Sequence, residues 1–205
     1  LELARACGLK TPEFQLMLAN TGSPVALVRR FDRRGGRRIP FISARTAVER
    51  AGSEAGSYTE IADAIRHLGR KPAADLSELY DRMMFTVLVT NTDDHLKNHG
   101  FLYAGDGLWR LSPLFDVNPQ PERHRYLKTA IIEGEPFTAS VRLVLEAATF
   151  FDIADDDARS RARRMATIIA GTWRDTARRY GLSGDDLRSL ARAFEHEEID
   201  RALSL

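Results

Sequence analysis

The chain has 205 residues, of which 43% are hydrophobic and 29% charged, and its net charge is +1. That length supports one good-sized core or two small lobes, and the balanced charge gives no global pull toward nucleic acid or an anionic membrane. No apolar run approaches the ~20 residues of a membrane span, and the single cysteine, Cys7, forms no internal disulfide, so a reducing, cytoplasmic setting is expected.

The start, Leu1-Glu2-Leu3-Ala4-Arg5-Ala6, carries no secretory signal and no initiator Met; it reads as the middle of a helix, so further sequence is expected upstream. Gly8 stops this helix and Pro12 follows. Phe14 to Ala19 and Val25 to Phe31 read as two strands joined by the turn-rich Asn20-Thr21-Gly22-Ser23-Pro24. Six arginines then flank Gly35-Gly36 between Arg29 and Arg38. For such a run the plain reading is a solvated hairpin tip, with Arg33, Arg34, Arg37 and Arg38 in water; the sharper one is a hinge between a sheet-rich and a helical lobe, with Arg29 to Asp32 extended and Phe31 partly buried. From Ser57 the pattern is helical: Ile61, Ala64, Ile65 and Leu68 share a face, and Ser57 with Glu60 makes a capping box. Leu76, Leu79, Met83, Val87 and Thr90 line the next helix, whose Phe85 and Leu88 predict burial on more than one side. Phe101 to Ala104 and Leu108 to Leu111 pair as a hairpin across Gly105-Asp106-Gly107. In the last third, Ala158, Ala162, Met165, Ile169, Trp173 and Tyr180 form one stripe, and Leu187, Leu190, Ala191 and Phe194 a final amphipathic helix.

The chemistry concentrates on either side of the hairpin. Asn91-Thr92-Asp93-Asp94-His95-Leu96-Lys97-Asn98 follows the helix directly, and Asp116 comes 18 residues after Asn98, beyond the hairpin. Asp93 and Asn98 have the spacing of a kinase catalytic loop, where an Asp takes the substrate hydroxyl's proton and an Asn five residues on holds a metal. Asp93 is ionised at neutral pH by its ordinary pKa of about 3.9. Asn98 is no base, but its oxygen is a hard ligand suited to magnesium, and Asp116 supplies a charged one. His95 and Lys97 offer cations for phosphate oxygens. Taken singly, each group has a plain explanation: a polar turn after a helix for Asn91 to Asp94, a packed histidine for His95, a helix cap for Asp116. The joint pattern has few.

Arg30-Phe31-Asp32-Arg33, Ser57-Tyr58, Glu78-Leu79-Tyr80, Asn91 through Tyr103 and Trp109-Arg110-Leu111-Ser112-Pro113-Leu114-Phe115-Asp116 closely resemble the C-terminal part of HipA-like serine/threonine kinases, the toxin members of bacterial toxin–antitoxin pairs. The resemblance runs from about residue 1 to 195 and is densest from 25 to 120. It implies an α+β, predominantly helical fold: a protein-kinase-like large lobe over residues 33–205, with residues 1–32 as the end of the small lobe and the hinge strands. It implies Asp93 as the catalytic residue, Asn98 and Asp116 on Mg2+, and ATP contacts from Arg29, Arg30, Phe31, Asp32, His95, Leu96, Lys97, Asn98, Phe115 and Asp116. Arg29, Arg30 and Phe31 would meet adenine, Asp32 the ribose. Family members phosphorylate a protein hydroxyl, on aminoacyl-tRNA synthetases in those understood, and are silenced by a small DNA-binding antitoxin.

Two departures shape the expectation. The family's Gly-rich phosphate loop and nucleotide-binding lysine align upstream of residue 1, so this chain alone is expected to bind ATP poorly and transfer little phosphate. The family helix that can approach operator DNA aligns near Leu143 to Phe150, which here holds Glu146 and only Arg142 close by, and this argues against direct nucleic-acid contact. Two other functions stay open: a metal-dependent phosphoesterase using Asp93, Asp94, His95 and Asp116, and a non-catalytic module that binds an antitoxin or another partner.

Overall fold

The computed structural model describes residues 1–18, 24–52, 54–122 and 125–205. In chain order the elements are α1 (Glu2–Ala6), β1 (Phe14–Met17), β2 (Val25–Val28), β3 (Arg33–Arg34), β4 (Arg37–Arg38), β5 (Phe41–Ser43), α2 (Ala44–Ala47), α3 (Tyr58–Leu68), α4 (Pro72–Leu88), β6 (Gly100–Gly105), β7 (Leu108–Leu111), α5 (Val141–Glu146), α6 (Asp155–Arg179), α7 (Gly184–Ala191) and α8 (Glu197–Leu203). Short 3-10 turns span Leu96–Asn98 and Ala147–Phe151. The result is a helical body with small antiparallel sheets, the mixed class expected.

The helices form where their local chemistry directs. Ser57 Oγ accepts from the Glu60 amide and the Glu60 carboxylate accepts from the Ser57 amide, a reciprocal cap that starts α3. Pro72 opens α4, where its missing N–H costs nothing. The α4 stripe of Leu76, Leu79, Met83 and Val87 is buried, and so are Tyr80, Met84, Phe85 and Leu88, which makes α4 the central helix of the core. The 25-residue α6 begins with Asp155-Asp156-Asp157 and ends with Arg178-Arg179, charges matched to the helix dipole. Its Ala158, Ala162, Met165, Ile169 and Trp173 are buried as the stripe predicts, while Tyr180 is half-buried just past the helix end. Cys7 is buried and its thiol pushed up to about 12 by desolvation, so it belongs to the core and not to any nucleophilic site. Among the described residues no helix is long and apolar enough to cross a membrane.

β5, β6 and β7 form one antiparallel sheet with β6 in the middle; Ser43 faces Gly100, and Phe101 faces Leu111. Gly100 is needed there: a Cβ would lie 2.1 Å from the Phe41 ring. The β6–β7 turn runs through Gly105, Asp106 and Gly107, all at positive φ, in the hairpin expected from the sequence.

Several expectations need correction. β1 stops at Met17, and Leu18 lies at φ 56°; Ala19 to Ser23 fall outside the described residues, as does most of the loop predicted there. β2 ends at Val28 and not at Phe31, because Arg30 pairs with Asp32 at 2.6 Å and curls the chain into a turn. The arginine run is a hairpin, β3 with β4, turning through Gly35 and Gly36 at φ 54° and 76°. Arg34, Arg37 and Arg38 are exposed, but Arg33 is half-buried and donates to Asp32 at 3.2 Å. The last amphipathic helix stops at Ala191; Phe194 is buried beyond it, stacked 5.0 Å from Trp173, and α8 follows.

Candidate active site

The site grows from the C-terminus of α4. Thr90 sits at φ 52°, the left-handed region that breaks the helix, and its hydroxyl donates to the Ala193 carbonyl at 3.1 Å. His196 Nε2 lies 3.2 Å from both Thr90 Oγ1 and the Leu88 carbonyl, so it holds the same end from the other side. The segment after β7 docks onto this end. The Gln120 amide donates to the Thr90 carbonyl at 2.9 Å, and the Asn118 amide donates to Asn91 Oδ1 at 3.2 Å. Asn91 is thus a buried bracket between the two acidic segments.

Asp94 is the buried centre of the loop. Its Oδ2 accepts from the Tyr58 hydroxyl and from His99 Nε2 at 3.1 Å, and its carbonyl accepts from Thr129 Oγ1 at 2.8 Å. Burial, then the adjacent Asp94 charge, hold the Tyr58 phenol well above its ordinary value. With Asp94 turned inward, Asp93 faces outward, its side chain 50% exposed. The Asp93 carboxylate pairs with the Lys128 ammonium, whose hydrogen bond holds the carboxyl below its usual range. Asn98 Nδ2 donates to the Asp93 carbonyl at 3.3 Å, and the Asn98 amide to the His95 carbonyl at 2.8 Å. The five-residue spacing is therefore a physical contact that closes the loop.

A cleft of about 960 Å³ receives the second acidic segment. Arg29, Arg30, Phe31, Asp32, Phe115 and Asp116 all line it. Phe31 lies 5.4 Å from Phe115 and 6.2 Å from Phe41, an aromatic wall of three rings. Asp116 is exposed at φ 55° with no helix after it, so it caps none; its Oδ1 accepts from Asn118 Nδ2 at 3.0 Å. Asp32 is held by Arg30 and Arg33, and the Arg30 hydrogen bond lowers its pKa. Arg29 is exposed and pairs with Glu13 at 2.7 Å.

The predicted residues do not share one cavity. His95, Leu96 and Lys97 line a second one of about 420 Å³, together with Arg45 and Lys128. Asn98 is buried in the loop itself and lines neither cavity. Among the described residues no three His, Cys, Asp or Glu side chains converge to hold a metal. Asp94, engaged by Tyr58 and His99, cannot join such a set without breaking the loop. Three contributors escaped the sequence reading. Lys128 and Phe41 reach the site through long-range packing that no spacing announces. Tyr58 was visible only as part of a recurring pair with Ser57, which gave it no role.

The comparisons with known proteins bear on the fold and the family. In sequence, the chain is 29% identical over 135 residues to a protein of Sinorhizobium fredii named "Putative kinase Y4mE", covering 57% of this chain and 30% of that protein. It is 33% identical over 69 residues to a Haemophilus influenzae protein with the same kinase description, covering 32% of this chain and 20% of that one. In structure, it matches the HipA toxin of the Shewanella oneidensis toxin–antitoxin complex with HipB and operator DNA, with a TM-score of 0.76 at 17% identity, over 98% of this chain and 52% of that one. It matches the Helicobacter pylori proinflammatory kinase CtkA with a TM-score of 0.63 at 14% identity, over 99% of this chain and 82% of that one. The fold is therefore kinase-like, and the chain spans less than a third of the curated relatives it matches. The sequence profile of the HipA-like C-terminal domain matches residues 1–180, and the chain belongs to that family.

Proposed function

We propose that this chain is the catalytic portion of an ATP-dependent serine/threonine protein kinase of the HipA type, working in a toxin–antitoxin pair. The observation that carries the reading is the closed Asp93–Asn98 loop, tied through Asn91 and Asn118 to the segment that presents Asp116 to an aromatic cleft. Residues 33–205 form the large lobe in this reading, and residues 1–32 the end of the small lobe. Adenine would lie against Phe31 and Phe115, near the Arg29–Arg30 backbone, with Asp32 toward the ribose.

Asp116 and Asn98 are oxygen donors of the kind magnesium takes, although only Asp116 lines the cleft and Asn98 is buried in the loop beside it. Asp116 offers a solvent-facing carboxylate, and Asn98, whose nitrogen is spent on Asp93, offers its amide oxygen. When bound, the ion would offset phosphate charge. Asp93 would orient the acceptor hydroxyl and take its proton, and Lys128 would keep Asp93 ionised until then. The phosphoesterase alternative is disfavoured because Asp94 is committed inward and His95 faces a different cavity from Asp116. A small DNA-binding antitoxin is the proposed regulator, as in the structural neighbour's complex with HipB, and a protein hydroxyl, on an aminoacyl-tRNA synthetase for instance, the proposed substrate.

Transfer of radiolabelled phosphate from ATP to a mixed protein extract tests the reading, using the natural polypeptide that carries this chain. Asp93→Asn should abolish transfer and leave nucleotide binding nearly intact, whereas Asp116→Asn should weaken Mg–ATP binding. Equal transfer by Asp93→Asn and the unmutated protein would refute the base, and no transfer by either would leave a partner-binding module.

A further inference from the structure

The second cavity contains groups that the nucleotide reading does not use. Its walls carry Arg45, Lys97 and Lys128 against one carboxylate, Glu54. Arg45 Nη2 and His95 Nδ1 are buried without a hydrogen-bond partner. Burial of each such orphan is uncompensated until something bonds it, and a ligand carboxylate would suit the Arg45 fork. The cavity also has an apolar side in Leu127 and Phe137, the latter 39% exposed. Backbone pairing holds that side in place: the Leu127 amide donates to the Phe137 carbonyl at 2.6 Å, and the Ala139 amide to the Arg125 carbonyl at 3.0 Å. Lys128 connects the cavity to the catalytic loop, since its ammonium lies on the Asp93 carboxylate.

We propose that this cavity binds the acidic flank of the acceptor protein, a Glu or Asp side chain next to the serine or threonine to be modified. The inference rests on the kinase reading for the role of the hydroxyl, but not for the binding itself. A glutamate would lay its methylenes on Leu127 and Phe137 and its carboxylate toward Arg45 and Lys97. Drawn toward the same carboxylate, Lys128 would loosen its hold on Asp93, so that the base becomes free when the correct acceptor arrives. Charge complementarity favours an acidic peptide over a basic one: beyond Lys128, already paired with Asp93, Arg45 and Lys97 line the cavity with a single carboxylate, Glu54.

The test uses fluorescently labelled peptides with a central serine, flanked either by glutamates or by glutamines, and anisotropy titration at low ionic strength without nucleotide. The glutamate peptide should bind ~10-fold more tightly, the scale of one charge-assisted hydrogen-bonded pair. Arg45→Gln should erase that preference and Arg45→Lys should keep most of it. If Arg45→Gln fails to fold, Lys97→Gln, on an exposed side chain, should reduce the same preference. Equal affinity for the two peptides, no binding of either, or an unchanged preference in the folded variants overturns the proposal. Because no ATP is present, this outcome is independent of phosphoryl transfer. Absence of phosphate transfer by the unmutated natural polypeptide would sink the kinase reading and leave the peptide preference standing.

Discussion

The region from α4 through the catalytic loop to β7 and the region from β1 to β4 are held together by different means. In the first, buried polar groups bond across long stretches of chain: Tyr58 to Asp94, Thr129 to Asp94, Thr90 to Ala193. In the second, side chains are mostly exposed, and the ion pairs lie at the surface: Arg30 with Asp32 two positions on, and Arg29 with Glu13 across the β1–β2 hairpin. A group fixed from several distant elements cannot shift without breaking all of them, whereas a local pair on the surface can exchange with water at little cost. In the proposed kinase reading, the backbone of the loop that carries Asp93 is therefore preorganised, while the half-exposed Asp93–Lys128 pair is free to exchange. Arg29, Arg30 and Asp32, which that reading places beside adenine, would adapt when a nucleotide arrives.

The sharpest way to break this contrast is Glu78→Ala. Glu78 Oε1 accepts from the Lys10 amide at 3.0 Å and from buried Arg82 at 2.9 Å, and Arg82 passes the contact on to the Ser112 carbonyl at 2.7 Å. Removing the carboxylate strands Arg82 in the core, and about 3–5 kcal/mol of stability should be lost by urea denaturation. Glu13→Ala, which breaks the exposed pair with Arg29, should cost under ~1 kcal/mol. Comparable losses from the two would erase the distinction. Tyr58→Phe comes next. It takes one donor from the buried Asp94 carboxylate and should cost about 1.5–3 kcal/mol, the range for a hydrogen bond to a charged group. Transfer activity should fall as well, since Asp94 sets the outward direction of Asp93.

Much of the first region, and of α3 before it, was legible because its signals are local. The capping box at Ser57 and Glu60, the apolar period of α4 and the Gly-Asp-Gly turn each depend on residues a few positions apart. The Asp93–Asn98 spacing was legible for the same reason: a single 3-10 turn brings the two into contact. What escaped depends on distant partners. No pattern in the chain announces that Lys128 reaches Asp93, or that His95 and Lys97 face a cavity other than the one lined by Asp116. In the second region the strand ran too far in the sequence reading. β-propensity continues through Phe31, but the Arg30–Asp32 pair bends the backbone first.

pH gives a smaller effect at the C-terminus of α4, where His196 packs. His196 is depressed to about 4, chiefly by burial and then by the Arg125 charge. Its ordinary value is about 6.5, so between these two values the unfolded chain binds a proton that the folded one refuses. The His196 contribution is then complete above pH 6.5 and is lost as pH falls from there toward 4. Melting temperature measured across that window should decline for the natural chain and decline less for His196→Gln, which keeps a donor for the Leu88 carbonyl. Identical profiles would show that this histidine does not sense protons.

The smallest effect is expected on the outer strands, where it bears most directly on the comparison. Leu27 is 51% exposed in β2, and neighbouring Val25 and Val28 are 43% and 45% exposed, so an apolar strand stands largely in water. Leu27→Thr removes no buried contact and introduces a β-branched side chain suited to a strand, so the urea midpoint should move by no more than about 0.5 kcal/mol in free energy. A loss above about 1.5 kcal/mol would mean that β2 is covered in solution, because only burial of a leucine supplies that much. Repeating the measurement over a range of protein concentrations separates the causes. A loss that grows with concentration in the natural chain alone would place a second copy against the strand, and a constant one would place the cover within the polypeptide. Either result would move β1 and β2 out of the adaptable class and require the adenine side to be as preorganised as the catalytic loop.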